Sequence, residues 1–137
     1  MITFKTVKVC FLLIVVFVNI FYIAPCYSLV LREDLFKNAL ELSSDGKFNL
    51  ALQEWNRYLD AYPDDAAGLS NRGNVRLVIG DIEGSIDDQN KAISLNPSEI
   101  DPYINRGIAE EALGQWSQAK RDYMFVISQD SKNFSAL

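Results

Sequence analysis

The 137-residue chain contains no histidine, and its two cysteines, Cys10 and Cys26, both precede the first acidic residue, Glu33. Zinc is held almost entirely by cysteine, histidine and carboxylate. With neither of the first two in the body of the chain, a zinc centre loses its usual ligands. The missing histidine also removes the base that a nucleophilic serine needs beside it. No disulfide staples residues beyond 28, although an export compartment would permit one. A calcium loop needs oxygen ligands at alternate places around a glycine. Asp60–Gly68 has acids without that spacing and reads as a solvated turn. Gly68 and Gly73 are separated as in a phosphate loop, but Asn74 stands where lysine is required. The neighbours Asp87-Asp88 and Glu110-Glu111 point in different directions on helices and read as solvated faces. The expectation is a non-enzymatic chain with no catalytic group, metal or cofactor.

Positive charge is also scarce. All 18 acids lie after residue 31, together with 11 of the 13 bases, the other two being Lys5 and Lys8. The body of the chain therefore carries about seven net negative charges, which argues against nucleic acid, whose binders show a basic footprint. Lys5 and Lys8 instead precede Val9–Ala24, an apolar run interrupted only by Asn19. A basic start, an apolar stretch and then small residues is the layout of a secretory signal. Residues 1–28 are expected to be a signal peptide or a membrane anchor, an apolar leader helix. The run is short for a bilayer span, which needs about 20 residues, and Pro25 interrupts its continuation to Leu31. Cleavage between Ser28 and Leu29 would release a soluble domain; retention would leave it anchored to the membrane; acylation of Cys26 is a weaker variant, because Pro25 occupies the place a lipobox gives to a small residue. Each option puts the rest of the chain on the far side of a membrane, since basic residues favour the cytoplasmic side. The expected location is thus extracytoplasmic, periplasmic or membrane-associated.

Beyond the leader the chain repeats itself. Three blocks of 34 residues, 32–65, 66–99 and 100–133, share a small residue at the eighth place (Ala39, Gly73, Gly107), glycine at the fifteenth (Gly46, Gly80, Gly114) and a small residue at the twentieth (Ala51, Ser85, Ala119). Pro63 and Pro97 close the first two. Leu35, Ala39, Leu40 and Leu42 predict one helix, and Phe48, Ala51, Leu52, Trp55, Tyr58 and Leu59 a second, from spacings of three and four. The other blocks follow with Leu69–Ile79 and Ile82–Leu95, then Tyr103–Leu113 and Trp116–Ile127. Glycine between the helices supplies the positive φ of a tight helix exit. Small residues allow helix axes to approach at their crossing, so Gly73 and Gly107 are expected against Ser85 and Ala119. Trp55, Trp116, Phe48 and Tyr123 are in phase with the packing face and are expected in the core.

This pattern resembles the tetratricopeptide repeat, whose period is about 34 residues. The resemblance implies an all-α fold: antiparallel helix pairs stacked as a right-handed α-solenoid. Asn71 and Asn105 opening Asn-Arg-Gly, with Asn96-Pro97 closing a block, look like the repeats abundant in bacteria and cyanobacteria, where a thylakoid lumen is a further possible location. Three places depart from the family pattern: Arg76 and Glu110 at the eleventh and Gln89 at the twenty-fourth. Either Arg76 meets Glu110 across two blocks, since an unpaired charge there is costly, or these side chains snorkel to solvent. Residues 134–137 match the opening of an unfinished fourth repeat. Tyr123, Phe125, Val126 and Ile127 are accordingly expected to present an apolar surface open to self-association, because terminal repeats normally need a polar face or a cap.

In such proteins the first helices line a concave groove that receives a peptide or helix of a partner protein. By their phase, the groove residues are Phe36, Lys37 and Leu40; then Ser70, Asn71, Asn74 and Leu77; then Asp101, Ile104, Asn105, Ile108 and Glu111. Asn71 and Asn105 share one place in consecutive blocks. Their amides either hold an extended backbone through one donor and one acceptor or sit there for local reasons. The family's best-known ligand mode is a carboxylate clamp for chaperone C-termini, made of two lysines, two asparagines and an arginine. The corresponding places hold Phe36, Leu40, Asn71, Asp101 and Asn105. One of five matches, and Asp101 would repel a carboxylate, so a partner with some basic character fits better. The expected function is a protein-interaction scaffold or assembly factor, exported or anchored. The alternative is an accessory domain of a larger enzyme or transport complex whose active part lies elsewhere.

Overall fold

The structure, a computed structural model, describes residues 24–134, and the side chains of 31–129. Six helices follow one another: α1 Ala24–Ser44, α2 Phe48–Ala61, α3 Ala66–Ile79, α4 Ile82–Leu95, α5 Asp101–Ala112 and α6 Trp116–Phe134. The described residues are helices and short connections, without strands. Most of the leader, residues 1–23, lies outside the described residues, as do 135–137. The chain divides after Asp34, and the repeat body Leu35–Leu137 carries the contacts that follow. No helix among the described residues is long and apolar enough to cross a membrane.

The boundaries follow from local chemistry. Gly46, Gly80 and Gly114 all adopt positive φ, at 73°, 91° and 72°. Side chains rarely tolerate that conformation. Asp65 caps α3 by accepting from Gly68 N at 2.7 Å, and its other oxygen accepts from the Tyr58 hydroxyl at 2.9 Å. Asp81 caps α4 through Gly84 N at 3.1 Å. Such caps satisfy amides that a helix start leaves without partners.

The helices pack in sequence, α2 on α3, α3 on α4, α4 on α5 and α5 on α6, and α3 also touches α5. The core gathers Leu35, Ala39, Ala51, Trp55, Tyr58, Leu59, Leu69, Val75 and Ala92. Phe36 meets Trp55 and Tyr58 edge-on, with centroids 5.0 and 5.3 Å apart. Trp55 Nε1 donates to Ser43 Oγ at 3.0 Å, so the buried indole keeps its hydrogen bond. Ser85 and Ala119 are buried as the repeat predicts. The atoms nearest the two glycines belong to other residues, however. A Cβ on Gly73 would stand 2.5 Å from Gln89 Nε2, and one on Gly107 2.5 Å from Tyr123 Cε1. The eighth place thus makes room for the large residue at the twenty-fourth.

Four expectations are corrected. Trp116 is 65% exposed: it is the first residue of α6, beside the turn that joins α5 to α6. Arg76 does not meet Glu110. It reaches Asp88 at 3.0 Å, Asp81 at 3.4 Å and the Gly84 carbonyl at 3.0 Å, all within its own block. Glu110 does not snorkel either; it is buried, and its Oε2 has no hydrogen-bond partner. Asp88 and Glu110 are not solvated faces, being 4% and 8% exposed.

A polar staple explains Asp88. Arg72 forks onto it through Nε at 2.9 Å and Nη2 at 2.6 Å, and donates to Asn56 Oδ1 at 3.0 Å. Thirty-four residues on, Arg106 forks onto Asp122 at 2.7 Å twice and donates to Asn90 Oδ1 at 2.7 Å. Each arginine thereby joins the second helix of the block before to both helices of its own. Bidentate pairing of this kind fixes orientation as well as adding energy.

Candidate functional site

The first helices of the second and third blocks, α3 and α5, enclose a cavity of about 260 Å³. Ala67, Ser70, Asn71 and Asn74 line it from α3, Asp101, Ile104 and Asn105 from α5, and Glu99 from the connection before α5. The helical period puts these residues on one face: Ala67, Ser70, Asn71 and Asn74 step by three, one and three. The staple then holds that face in place. Arg72 and Arg106 each follow a groove asparagine, and their pairing with Asp88 and Asp122 sets the roll of α3 and α5.

The polar atoms differ in how far they are committed. Asn71 Nδ2 donates to the Ala67 carbonyl at 2.9 Å, one turn back on its own helix. Asn105 Nδ2 crosses between blocks to Ser70 Oγ at 3.5 Å. Asn74 has no side-chain hydrogen bond among the described residues. Gln89, fully buried behind α3, donates to the Ser70 carbonyl at 3.0 Å. Gln89, where the first and third blocks carry Trp55 and Tyr123, therefore supports the groove wall from behind.

Six of the twelve expected groove residues line this cavity: Ser70, Asn71, Asn74, Asp101, Ile104 and Asn105. Leu40 and Ile108, 44% and 43% exposed, occupy in the first and third blocks the place that Asn74 holds in the second. Phe36 is half-buried in the aromatic cluster with Trp55 and Tyr58. Lys37 is exposed and pairs with Glu41 at 3.7 Å. Leu77 is half-buried outside the cavity lining. Glu111 is exposed and accepts from the Tyr123 hydroxyl at 3.1 Å. Ala67 and Glu99 are lining residues that phase counting from the groove positions did not include.

The expected apolar end surface is partly occupied. Phe125 stacks on Tyr103 with centroids 4.1 Å apart, and Tyr123 and Val126 are half-buried. Ile127 at 66% and Met124 at 59% face solvent.

The same helix arrangement occurs in the first tetratricopeptide-repeat module of Spaghetti (RPAP3), solved bound to the HSP90 peptide SRMEEVD. The likeness has a TM-score of 0.70 at 28% identity, and covers 77% of this chain and 83% of that one. The repeats are tetratricopeptide repeats. Among curated relatives, RNA polymerase II-associated protein 3 of Xenopus laevis is 34% identical over 91 residues, 66% of this chain and 14% of the relative. The TPR repeat-containing thioredoxin TDX of Arabidopsis thaliana is 32% identical over 84 residues, 61% of this chain and 22% of the relative. The chain thus spans about a fifth or less of the length of these relatives. No protein-family model matches it.

Proposed function

We propose that the tetratricopeptide repeats form a non-enzymatic interaction module whose groove between α3 and α5 holds an extended peptide or a helix of a partner protein. The observation that carries this reading is the convergence of six phase-matched groove residues, from two consecutive blocks, on one cavity of about 260 Å³. Exposed Leu40 and Ile108 offer apolar anchors beyond the polar cavity, and peptide recognition commonly combines such anchors with a few placed polar groups. The peptide bound to the related Spaghetti module supports a segment of chain as the ligand class. The test is selection of phage-displayed nonapeptides on the full chain. Selected peptides should lose at least tenfold in affinity against Asn71→Ala/Asn105→Ala, and be unaffected by Gln53→Ala on α2. Recovery of no binder, or equal binding to all three proteins, would contradict the groove reading.

We further propose that the repeats work outside the cytoplasm, exported or anchored through residues 1–28. Lys5 and Lys8 ahead of an apolar run, with every acid after residue 31, support this. A reporter active only outside the cytoplasm, fused after Leu137, should be active; an intact but inactive fusion would refute export. N-terminal sequencing separates cleavage before Leu29 from a retained anchor. Exposed Ile127 and Met124 support self-association through α6, which light scattering across a concentration series would show as rising mass. The small share of the relatives that this chain matches, 22% and 14%, favours as second reading an accessory module of a larger complex.

A further inference from the structure

The charged groups of the cavity between α3 and α5 are all acidic. Glu99 and Asp101 bring two carboxylates to it, and neither has an ion-pair or hydrogen-bond partner for its side chain among the described residues. No lysine or arginine lines it. Its amides are partly spent as donors: Asn71 gives an N–H to the Ala67 carbonyl and Asn105 gives one to Ser70 Oγ. Their carbonyl oxygens remain to accept, and the Asn74 amide keeps both its acceptor and its donors. The apolar walls are Ala67 and Ile104.

Among charged groups this inventory suits a cation. A guanidinium presents five N–H donors in a planar fork and no acceptor. It pairs with carboxylates bidentately and loses less water than an ammonium on entering a half-enclosed site. Its three-methylene stem can lie along apolar wall while the charged head reaches the acceptors. An anionic ligand group would instead meet two uncompensated carboxylates. The field of the repeats, about seven net negative charges, attracts basic segments over longer range.

We infer that this cavity is a subsite for a basic side chain of the bound segment, arginine ahead of lysine. The inference rests on the groove reading above and adds its charge selectivity. A site that reads a fixed positive charge makes the partner segment basic, and makes a segment whose charged groups are all acidic a poor ligand here.

The experiment uses groove-binding nonapeptides selected on the full chain, each resynthesised with its arginine replaced by citrulline, which keeps the shape and removes the charge. The selected set should share a basic residue at one position. The citrulline replacement should weaken binding at least tenfold. Glu99→Gln and Asp101→Asn should each weaken the arginine peptide severalfold and leave the citrulline peptide unchanged. Glu99→Gln lies outside the helices and serves alone if Asp101→Asn, in the first turn of α5, disturbs folding. Peptide SRMEEVD with its arginine replaced by citrulline should bind wild type at least tenfold more weakly than the selected peptides. Peptides that compete in the groove but bind equally with citrulline, or carry no common basic residue, would overturn the basic subsite while leaving the groove intact. Failure of every peptide to sense Asn71→Ala/Asn105→Ala would overturn both.

Discussion

Replacing Arg106 by methionine removes one side of the third-block staple and leaves its other side buried. Asp122 is 8% exposed at its side chain and takes both 2.7 Å bonds from Arg106. Without them its carboxylate keeps no charged donor, and Glu110 lies close enough to repel it. The Asn90 carbonyl also loses its 2.7 Å donor. Two unit charges about 4 Å apart attract by roughly 4 kcal/mol at an effective dielectric constant of 20. Breaking a buried pair by removing one partner costs about 3–5 kcal/mol. Arg106 is 19% exposed, so water recovers part of that, and about 2–3 kcal/mol is expected. For a repeat body of about 100 residues, each 1 kcal/mol lowers Tm by roughly 4–8 °C, so the fall should be about 10–20 °C. Urea unfolding followed by helical circular dichroism measures it directly. The double variant Arg106→Met/Asp122→Leu should be more stable than Arg106→Met alone, because no charge is then left buried. A single variant within about 0.5 kcal/mol of the parent, or a double variant whose loss is the sum of the two single losses, would refute the staple as an orienting device.

Gly107→Leu should destabilise by at least the 1–3 kcal/mol typical of overpacking, because even a Cβ there stands 2.5 Å from the Tyr123 ring; unchanged Tm would contradict the packing described. Gly80→Ala, at φ 91° with open space around it, should cost about 1 kcal/mol through backbone conformation alone, which denaturant titration resolves. Burial first, and the Asp122 carboxylate next, hold the Glu110 pKa above the usual carboxylate range. A raised native pKa means the native state gains protons more readily than the unfolded chain. The stability from that proton is complete below the unfolded pKa and lost as pH rises through the native one. Glu110→Gln should therefore be more stable than the parent at pH 7, by about 1 kcal/mol for relief of a buried unsatisfied carboxylate. The gap should close on acidification below the ordinary glutamate range; a gap independent of pH would refute this origin.

Features that depend on local backbone demands were legible in the sequence. Glycine at the fifteenth place announces a left-handed helix exit, and Gly46, Gly80 and Gly114 all take one. Helical phase located α3 and α5 and the six residues that meet in the cavity. Phase could not reveal that Phe36 is drawn into contact with Trp55 and Tyr58, since a ring at that place is large enough to reach either side. It also missed Glu99, which lies in a connection where helical counting has no meaning. Arg76 has three nearby partners in its own block, which sequence distance between blocks does not show. The staple did leave a signal: Asn56, Arg72 and Asp88 recur 34 residues later as Asn90, Arg106 and Asp122. Reading apolar and small places alone passed over that polar repeat.

The central claim is that the face shared by α3 and α5 receives a segment of another protein. Chemical-shift mapping of a selected nonapeptide onto the full chain tests it most directly. The largest shifts should fall on the amides of Ser70, Asn71, Asn74, Ile104 and Asn105 and saturate together on titration. Shifts concentrated instead on the outer faces of α2, α4 or α6, with Asn71, Asn74 and Asn105 unmoved, would contradict it.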